Sequence, residues 1–81
     1  PEKSVTRAQL VKVAIIAFDI PMIYNNAASF KDTELGAWYE DFLNVAVDQK
    51  IINDGELFHP NDKITRSQAL KIILEAAKIT D

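Results

Sequence analysis

The feature that most constrains this chain is an internal repeat of a helix start. Shifting the sequence by 59 positions lays Thr6-Arg7 on Thr65-Arg66 and Gln9 on Gln68. The same shift aligns further residues along both segments, namely Pro1 with Pro60, Val5 with Ile64, Lys12 with Lys71 and Ile20 with Ile79. A chain that repeats one supersecondary unit is expected to pack adjoining copies against one another.

Each copy of the repeat carries the pattern of a capped helix. The threonine hydroxyl accepts a backbone N–H of the first turn and the glutamine three residues later reaches back, which together form a capping box. The first helical residue is then Arg7 or Arg66. An arginine there adds to the positive end of the helix dipole, so helix stability does not explain it. A guanidinium beside free backbone N–H groups is instead suited to receiving an anion.

Composition excludes several classes of partner. The 81 residues make one small domain, and because they open inside a repeat unit we interpret them as a fragment of a longer chain. Without cysteine there is no disulfide framework and no thiolate metal site. The net charge of −3 argues against nucleic acid, for which a basic face is expected. Since no apolar run approaches the length of a membrane span, no membrane insertion is predicted.

Periodicity predicts an all-α fold of three main helices joined by long loops. The helices are expected over 7–20, 37 to about 50, and 66 to about 79, and the second is expected to turn Asn44 outward with its charged neighbours. The first is apolar nearly all round, which predicts burial on more than one side. We expect an adjoining repeat or a second copy of the chain to cover Val13, Ile16 and Phe18, although an isolated exposed isoleucine needs no explanation.

Catalytic and metal sites find no support in the sequence. The loops around Asn53-Asp54-Gly55 and Asn61-Asp62 resemble calcium loops, but neither places oxygen ligands in the register that an EF-hand requires. His59 is the single histidine, too few for a histidine-based zinc site. Adjacent carboxylates on a helix point apart, which does not suit acid–base catalysis. No metal, no cofactor and no enzymatic activity are therefore predicted.

The two arginines and the single tryptophan each allow two interpretations. Arg7 and Arg66 either have a structural role or receive an anionic ligand. In the structural role each pairs with a nearby acid such as Glu2 or Asp62, or tethers a neighbouring helix end. Trp38 is either a core residue or the wall of a binding site. A tryptophan face beside an arginine suits an acidic sugar, because the ring covers C–H groups while the guanidinium binds the carboxylate.

The order of several short motifs resembles the S-layer homology domain family. The motifs are Phe30-x-Asp32, then Trp38, a helix ending in Ile51-Ile52, Gly55, Phe58-x-Pro60, and Ile64-Thr65-Arg66 before an apolar helix. The spacing of the two Thr-Arg helix starts is also close to the repeat length of the family. The resemblance makes residues 30–81 one complete repeat, 1–20 the C-terminal helix of a preceding repeat, and 21–29 a linker loop.

The resemblance implies an all-helical module of bacterial surface proteins, usually present as three tandem copies. Such modules hold exported proteins on the cell wall by binding acidic, often pyruvylated, secondary cell-wall polymers in grooves between repeats. It assigns glycan binding to Arg66 and Arg7, with Asp32 and Trp38 at two further positions of the groove. The implied location is secreted, at the cell surface in an S-layer or on the cell wall.

Two departures from the family pattern fall near the expected groove. The family usually has glycine where this chain has Lys50, and a second glycine near Asn53. The Thr-Arg-Ala-Glu motif reads Thr-Arg-Ala-Gln and Thr-Arg-Ser-Gln here.

We predict a non-enzymatic anchoring module that binds an acidic glycan. The alternative is a protein–protein docking module that uses the apolar first helix.

Overall fold

The computed structural model describes residues 4–79 and contains three helices. They are α1 (Arg7–Ala17), α2 (Glu40–Asp48) and α3 (Arg66–Ile79). The only strand-like pairing within these residues is an antiparallel bridge between Thr6 and Lys63. The predicted all-α class is confirmed, and so are the bounds of the third helix.

Helix α1 lies at the centre of the fold and packs against both α2 and α3. These contacts bury Ala8, Val11, Ala14 and Ile15, whereas Val13 and Ile16 stay exposed. The cover expected over that second apolar side of α1 therefore stays a prediction. The core gathers side chains from all three helices and from the segments that join them: Ala8, Val11, Ala14, Ile15, Ile20, Tyr39, Leu43, Val45, Ala46, Ile51, Phe58, Ile72 and Ala76. The helix that the sequence assigns to a preceding repeat thus holds the rest of the chain together.

Helix α1 ends three residues earlier than predicted, and α2 ends in the same way. After α1 the chain enters the left-handed region at Asp19 (φ 54°), and after α2 it does so at Lys50 (φ 64°). In each case the next residue returns an N–H to the last turn: Ile20 to the Ile15 carbonyl at 3.0 Å, and Ile51 to the Ala46 carbonyl at 2.8 Å. These are Schellman endings. These helix endings could not be predicted from the sequence, because the left-handed residue is not glycine in either case.

Helix α2 begins three residues later than predicted, and one of its polar residues faces inward. Asn44 was expected to point outward but is only 5% exposed. Its side-chain oxygen accepts the Ala28 N–H at 2.8 Å. The loop that precedes α2 has no helical partners for its own backbone, so an amide from the helix supplies one. Asn44 is therefore an internal loop anchor rather than a surface residue.

Candidate functional site

The N-terminus of α1 is seated on the loop that leads into α3. The Arg7 N–H donates to the Asp62 carbonyl at 2.9 Å and the Ala8 N–H to the Pro60 carbonyl at 3.1 Å. The Gln9 N–H donates to the Thr6 hydroxyl at 3.1 Å, and the side-chain oxygen of Gln9 accepts the backbone N–H of Thr6. The predicted capping box is confirmed. The expectation of free backbone N–H groups beside Arg7 is wrong, since the loop and the cap have taken them.

The guanidinium of Arg7 is held against Phe58. Its Nε donates to the Phe58 carbonyl at 2.8 Å, and its central carbon lies 4.7 Å from the centre of the Phe58 ring. Within residues 4–79 Arg7 makes no ion pair, and the Asp62 carboxylate lies beside His59 instead, 3.6 Å from its Nδ1. Glu2, the other predicted partner, lies outside the described residues. Nε thus fixes the side chain, and among residues 4–79 the Nη groups make no ion pair.

A groove of about 210 Å³ opens beside Arg7. Its walls are mainly apolar, with Lys71 as a second cation; the lining residues are Arg7, Phe30, Ile51, Ile52, Asn53, Leu57, Phe58, Gln68, Lys71 and Ile72. Phe30 packs on Phe58 with ring centres 5.2 Å apart, so the two rings together form one wall of the groove. Apolar walls with a fixed guanidinium suit a small ligand that carries a negative charge.

Asp32 shapes this site from behind. One carboxylate oxygen accepts the Phe58 N–H at 2.9 Å and the other accepts the His59 N–H at 2.7 Å. Burial alone would raise the pKa of Asp32, but these hydrogen bonds outweigh it and the pKa lies below its ordinary value. His59 adopts the left-handed region (φ 62°) to present its N–H. Asp32 thereby fixes the backbone whose carbonyl receives Arg7.

Arg66, the repeat counterpart of Arg7, is exposed at the start of α3. Its capping box with Thr65 and Gln68 is formed, as predicted. Within residues 4–79, however, no ion pair involves its guanidinium, and the Arg66 and Ser67 N–H groups find no acceptor. The equivalent groups of α1 are those that bind the loop before α3. The start of α3 thus has the same donors as the start of α1, without a loop to bind.

Trp38 lies away from the Arg7 groove and is not a core residue. Its side chain is 53% exposed, so the interpretation as plain core is wrong. The indole meets Tyr39 and Phe42 edge to face, with ring centres 5.5 and 6.5 Å apart. The Nζ of Lys12 stands 5.5 Å from the centre of the indole. The structure therefore places Arg7 with Asp32 and Phe58, and Trp38 with Lys12.

Exposed apolar faces occur on both repeat-related helices. On α1, Val13 is 55% and Ile16 60% exposed, while Phe18 is partly buried against the core and contributes little free surface. On α3 the exposed apolar residues are Leu70, Ile73 and Leu74. The 59-residue shift equates these three with Val11, Ala14 and Ile15, the buried face of α1. Helix α3 thus exposes the face with which its counterpart packs into this unit.

Sequence reasoning missed three contributors to these sites. The Phe58 carbonyl has no signature in the sequence, because only the folded loop aims it at Arg7. Lys71 and Lys12 are repeat counterparts, and their shared position was the one signal that pointed to them. Lys71 lines the groove. Lys12 contacts two aromatic rings, that of Trp38 in the turn before α2 and that of Phe42 on α2.

Comparison with known proteins identifies the family. Residues 29–70 match the family model described as the S-layer homology domain. The chain belongs to the S-layer homology domain family. It is also 30% identical over 81 residues to the surface-layer 125 kDa protein of Lysinibacillus sphaericus, and 30% identical over 80 residues to the S-layer protein sap of Bacillus anthracis. Both alignments cover 98% of this chain but only 7% and 10% of those proteins.

Membership in the S-layer homology family supports a cell-surface anchoring module and implies a location at the cell surface or cell wall. S-layer homology domains and S-layer proteins are generally structural rather than enzymatic, in agreement with the predicted non-enzymatic function. Within residues 4–79 no helix has the length and apolar character needed to cross a membrane.

The departure at Lys50 now has a structural explanation. The chain needs a left-handed residue to end α2, a conformation that glycine adopts without penalty, and Lys50 takes it at some conformational cost. The Lys50 side chain is exposed and does not line the Arg7 groove. Ile52 and Asn53 do line it, so they set the shape of the groove at this edge.

Proposed function

We propose that this S-layer homology module anchors its parent protein by binding an acidic cell-wall glycan in the Arg7 groove. The observation that carries the proposal is the geometry of Arg7: one nitrogen is fixed on the Phe58 carbonyl and the remaining donors are left for a ligand. Lys71 adds positive charge on the opposite helix. Apolar walls around two cations match a sugar ring that carries a carboxylate, such as a pyruvylated residue.

The arrangement also suggests which residues each repeat contributes to the groove. We propose that residues 1–20 are the C-terminal helix of a preceding repeat, that 21–29 form a linker loop, and that 30–81 form one complete repeat. Arg7 then comes from one repeat and Phe58 from the next, so the groove lies at their junction. Arg66 would take the same role against a following repeat, whose loop would accept the N–H groups at the start of α3. Asp32 contributes as a positioning residue, because both its oxygens already hold the loop.

Retention on purified, immobilised cell-wall polymer tests this proposal. A hydrogen bond to a charged group contributes about 1.5–3 kcal/mol, so Arg7→Gln is expected to weaken binding by at least about tenfold. Arg66→Gln is the matched control, which should bind like the unmodified chain when no following repeat is present. Polymer whose carboxylates have been reduced to alcohols should bind poorly to every variant.

Because Arg7 also contacts Phe58, its variants must be shown to fold. Arg7→Lys keeps the charge but loses the fork geometry, and it should bind with intermediate affinity. Melting temperatures of all variants are compared first. Equal retention of Arg7→Gln and the unmodified chain, with both fully folded, would refute the groove as the glycan site.

Docking to another unit is a second candidate function, favoured by the exposed face of α3. In the repeat, that face corresponds to the buried face of α1. A groove of about 480 Å³ runs along it and is lined in part by Leu70 and Leu74. The occupant that fits is an adjoining repeat, or a second copy of this chain in its place. Sedimentation over a range of concentrations should show self-association that Leu74→Lys removes. A chain that remains monomeric at every concentration contradicts docking by a second copy.

A further inference from the structure

The two repeat-related helices bury different faces in this structure. The buried residues of α3 are Ile72 and Ala76, and the 59-residue shift equates them with Val13 and Ala17, which are exposed on α1. The buried residues of α1 have exposed counterparts on α3 in the same way. This unit therefore covers one face of each helix and leaves the other open, which suits a helix that lies between two adjoining units.

The surface that receives α1 is closely packed. We call it the α1 seat; it is formed by α2, α3 and the loop before α3, whose Pro60 carbonyl accepts the Ala8 N–H. The side chains that α1 places in the seat are at most 2% exposed, and neither groove described above is lined by any of them: Ala8, Val11, Ala14 and Ile15. A core packed to this degree has little room for additional atoms.

The exposed face of α3 is bulkier than the face that fills the α1 seat. Ile73 carries a branched butyl group where Ala14 has only a methyl group, and Leu70 is a methylene longer than Val11. Extra carbon atoms in a well-packed core force side chains off their rotamers or shift the backbone. The α1 seat therefore does not accept α3 at these two positions.

The remaining positions of the two faces differ in polarity or in shape. Ser67 would bring a hydroxyl group to the position where Ala8 is fully buried, and a buried hydroxyl is unfavourable without a hydrogen-bond partner. Leu74 and Ile15 are isomers, and an exchange of this kind is tolerated best in a core. The mismatch thus comes mainly from Ile73, with smaller contributions from Leu70 and Ser67.

From this mismatch we infer that the α3 face docks a following repeat whose seat is wider than the α1 seat, above all opposite Ile73, and that a copy of this chain does not fit there. The inference rests on the docking function proposed above and selects between its two occupants. The order of repeats is then encoded in side-chain size, because a repeat followed by its own copy would be overpacked. Self-association of this chain can only bring two α3 faces together, which closes at a dimer.

A tandem chain tests the inference, in which residues 1–79 are followed directly by a second copy of 21–81, so that α3 is offered an identical seat. We expect α3 to stay unseated. The second unit should unfold separately, at least about 4 °C below the first, and the Nε–H of Arg66 in the first unit should exchange rapidly.

A matched tandem carries the α1 residues on its α3 face through four exchanges: Ser67→Ala, Leu70→Val, Ile73→Ala and Leu74→Ile. Ile72 and Ala76, which pack α3 within its own unit, are unchanged. Here α3 should be seated, so that the tandem melts in one transition and the Nε–H of Arg66 exchanges slowly. The same exchanges in the single chain alter exposed positions and should change its melting temperature little.

The single chain tests the size argument separately. Ala14→Ile should lower the melting temperature by at least about 4 °C, and Ile15→Leu should lower it less. An Ala14→Ile chain that melts like the unmodified one would refute the argument.

The tandems separate this inference from the proposals on which it depends. If α3 is seated in the unmodified tandem, the inference fails and docking of repeats on the α3 face stands. If α3 is seated in neither tandem, docking through this face fails and the inference fails with it. Retention on cell-wall polymer tests the glycan proposal independently of either result.

Discussion

Replacing Asp32 by asparagine tests how the loop beneath Arg7 is held. The carboxylate accepts two backbone N–H groups, from Phe58 at 2.9 Å and from His59 at 2.7 Å. Asparagine keeps one acceptor oxygen and turns an NH₂ group toward the other N–H, so one bond is lost and the other loses its charge. Hydrogen bonds to charged groups contribute about 1.5–3 kcal/mol, and the partial exposure of Asp32 places the expected loss at the lower end, about 1–2 kcal/mol.

For a domain of this size such a loss corresponds to a fall in melting temperature of about 4–16 °C. Chemical denaturation gives the free energy directly, and hydrogen exchange should show faster exchange of the Phe58 and His59 amides. Asp62→Asn is the matched control on the same loop, since among the described residues the Asp62 carboxylate meets only His59, at 3.6 Å. If Asp32→Asn melts within about 2 °C of the unmodified chain and those amides keep their protection, the carboxylate does not hold the loop.

Three further predictions follow from helix ends, buried polar groups and titration. Lys50→Gly should stabilise the chain by about 0.5–1 kcal/mol in urea denaturation, because glycine adopts the left-handed region without penalty, and Lys50→Ala should give no gain. Asn44→Ala should cost about 1–2 kcal/mol by leaving the Ala28 N–H without its acceptor, whereas the exposed Gln49→Ala should change little. The pKa of Asp32 is lowered on folding, as is that of Asp54 through its bond from the Ser29 N–H, so stability should be full above about pH 4 and fall as pH drops through the folded values. A flat stability profile between pH 5 and pH 3 would contradict the last of these.

The parts of the fold that local chemistry dictates were predictable from sequence. Thr65 with Gln68 marks the start of α3 because a capping box depends only on residues three apart. The predicted ends of α1 and α2 lie beyond the observed ones, because Asp19 and Lys50 adopt a left-handed conformation that is usually recognised in a sequence by a glycine. Asn44 was misplaced because its partner, the Ala28 amide, is brought to it only by the folded loop.

The candidate site was predictable in its residue types more than in its arrangement. The repeat indicated both arginines, and the aromatic residue suited to a sugar was indicated by its chemistry. That Arg7 meets Phe58 while Trp38 meets Lys12 depends on how α1 is seated on the rest of the chain, which no local pattern encodes. The exposure of Ile16 and of the α3 face is what the proposed repeat division predicts, since in a repeat protein part of the core of each unit is provided by its neighbours.

Side-chain NMR of the arginines tests the central claim most directly, since Arg7 and Arg66 are the arginines of this chain. Before ligand is added, the Nε–H of Arg7 should exchange slowly because it is bonded to the Phe58 carbonyl, while that of Arg66 exchanges rapidly. On addition of purified acidic cell-wall polymer we predict that the Arg7 guanidinium signals shift and those of Arg66 stay in place. Shifts confined to Arg66, or polymer binding that moves neither arginine, would contradict the account.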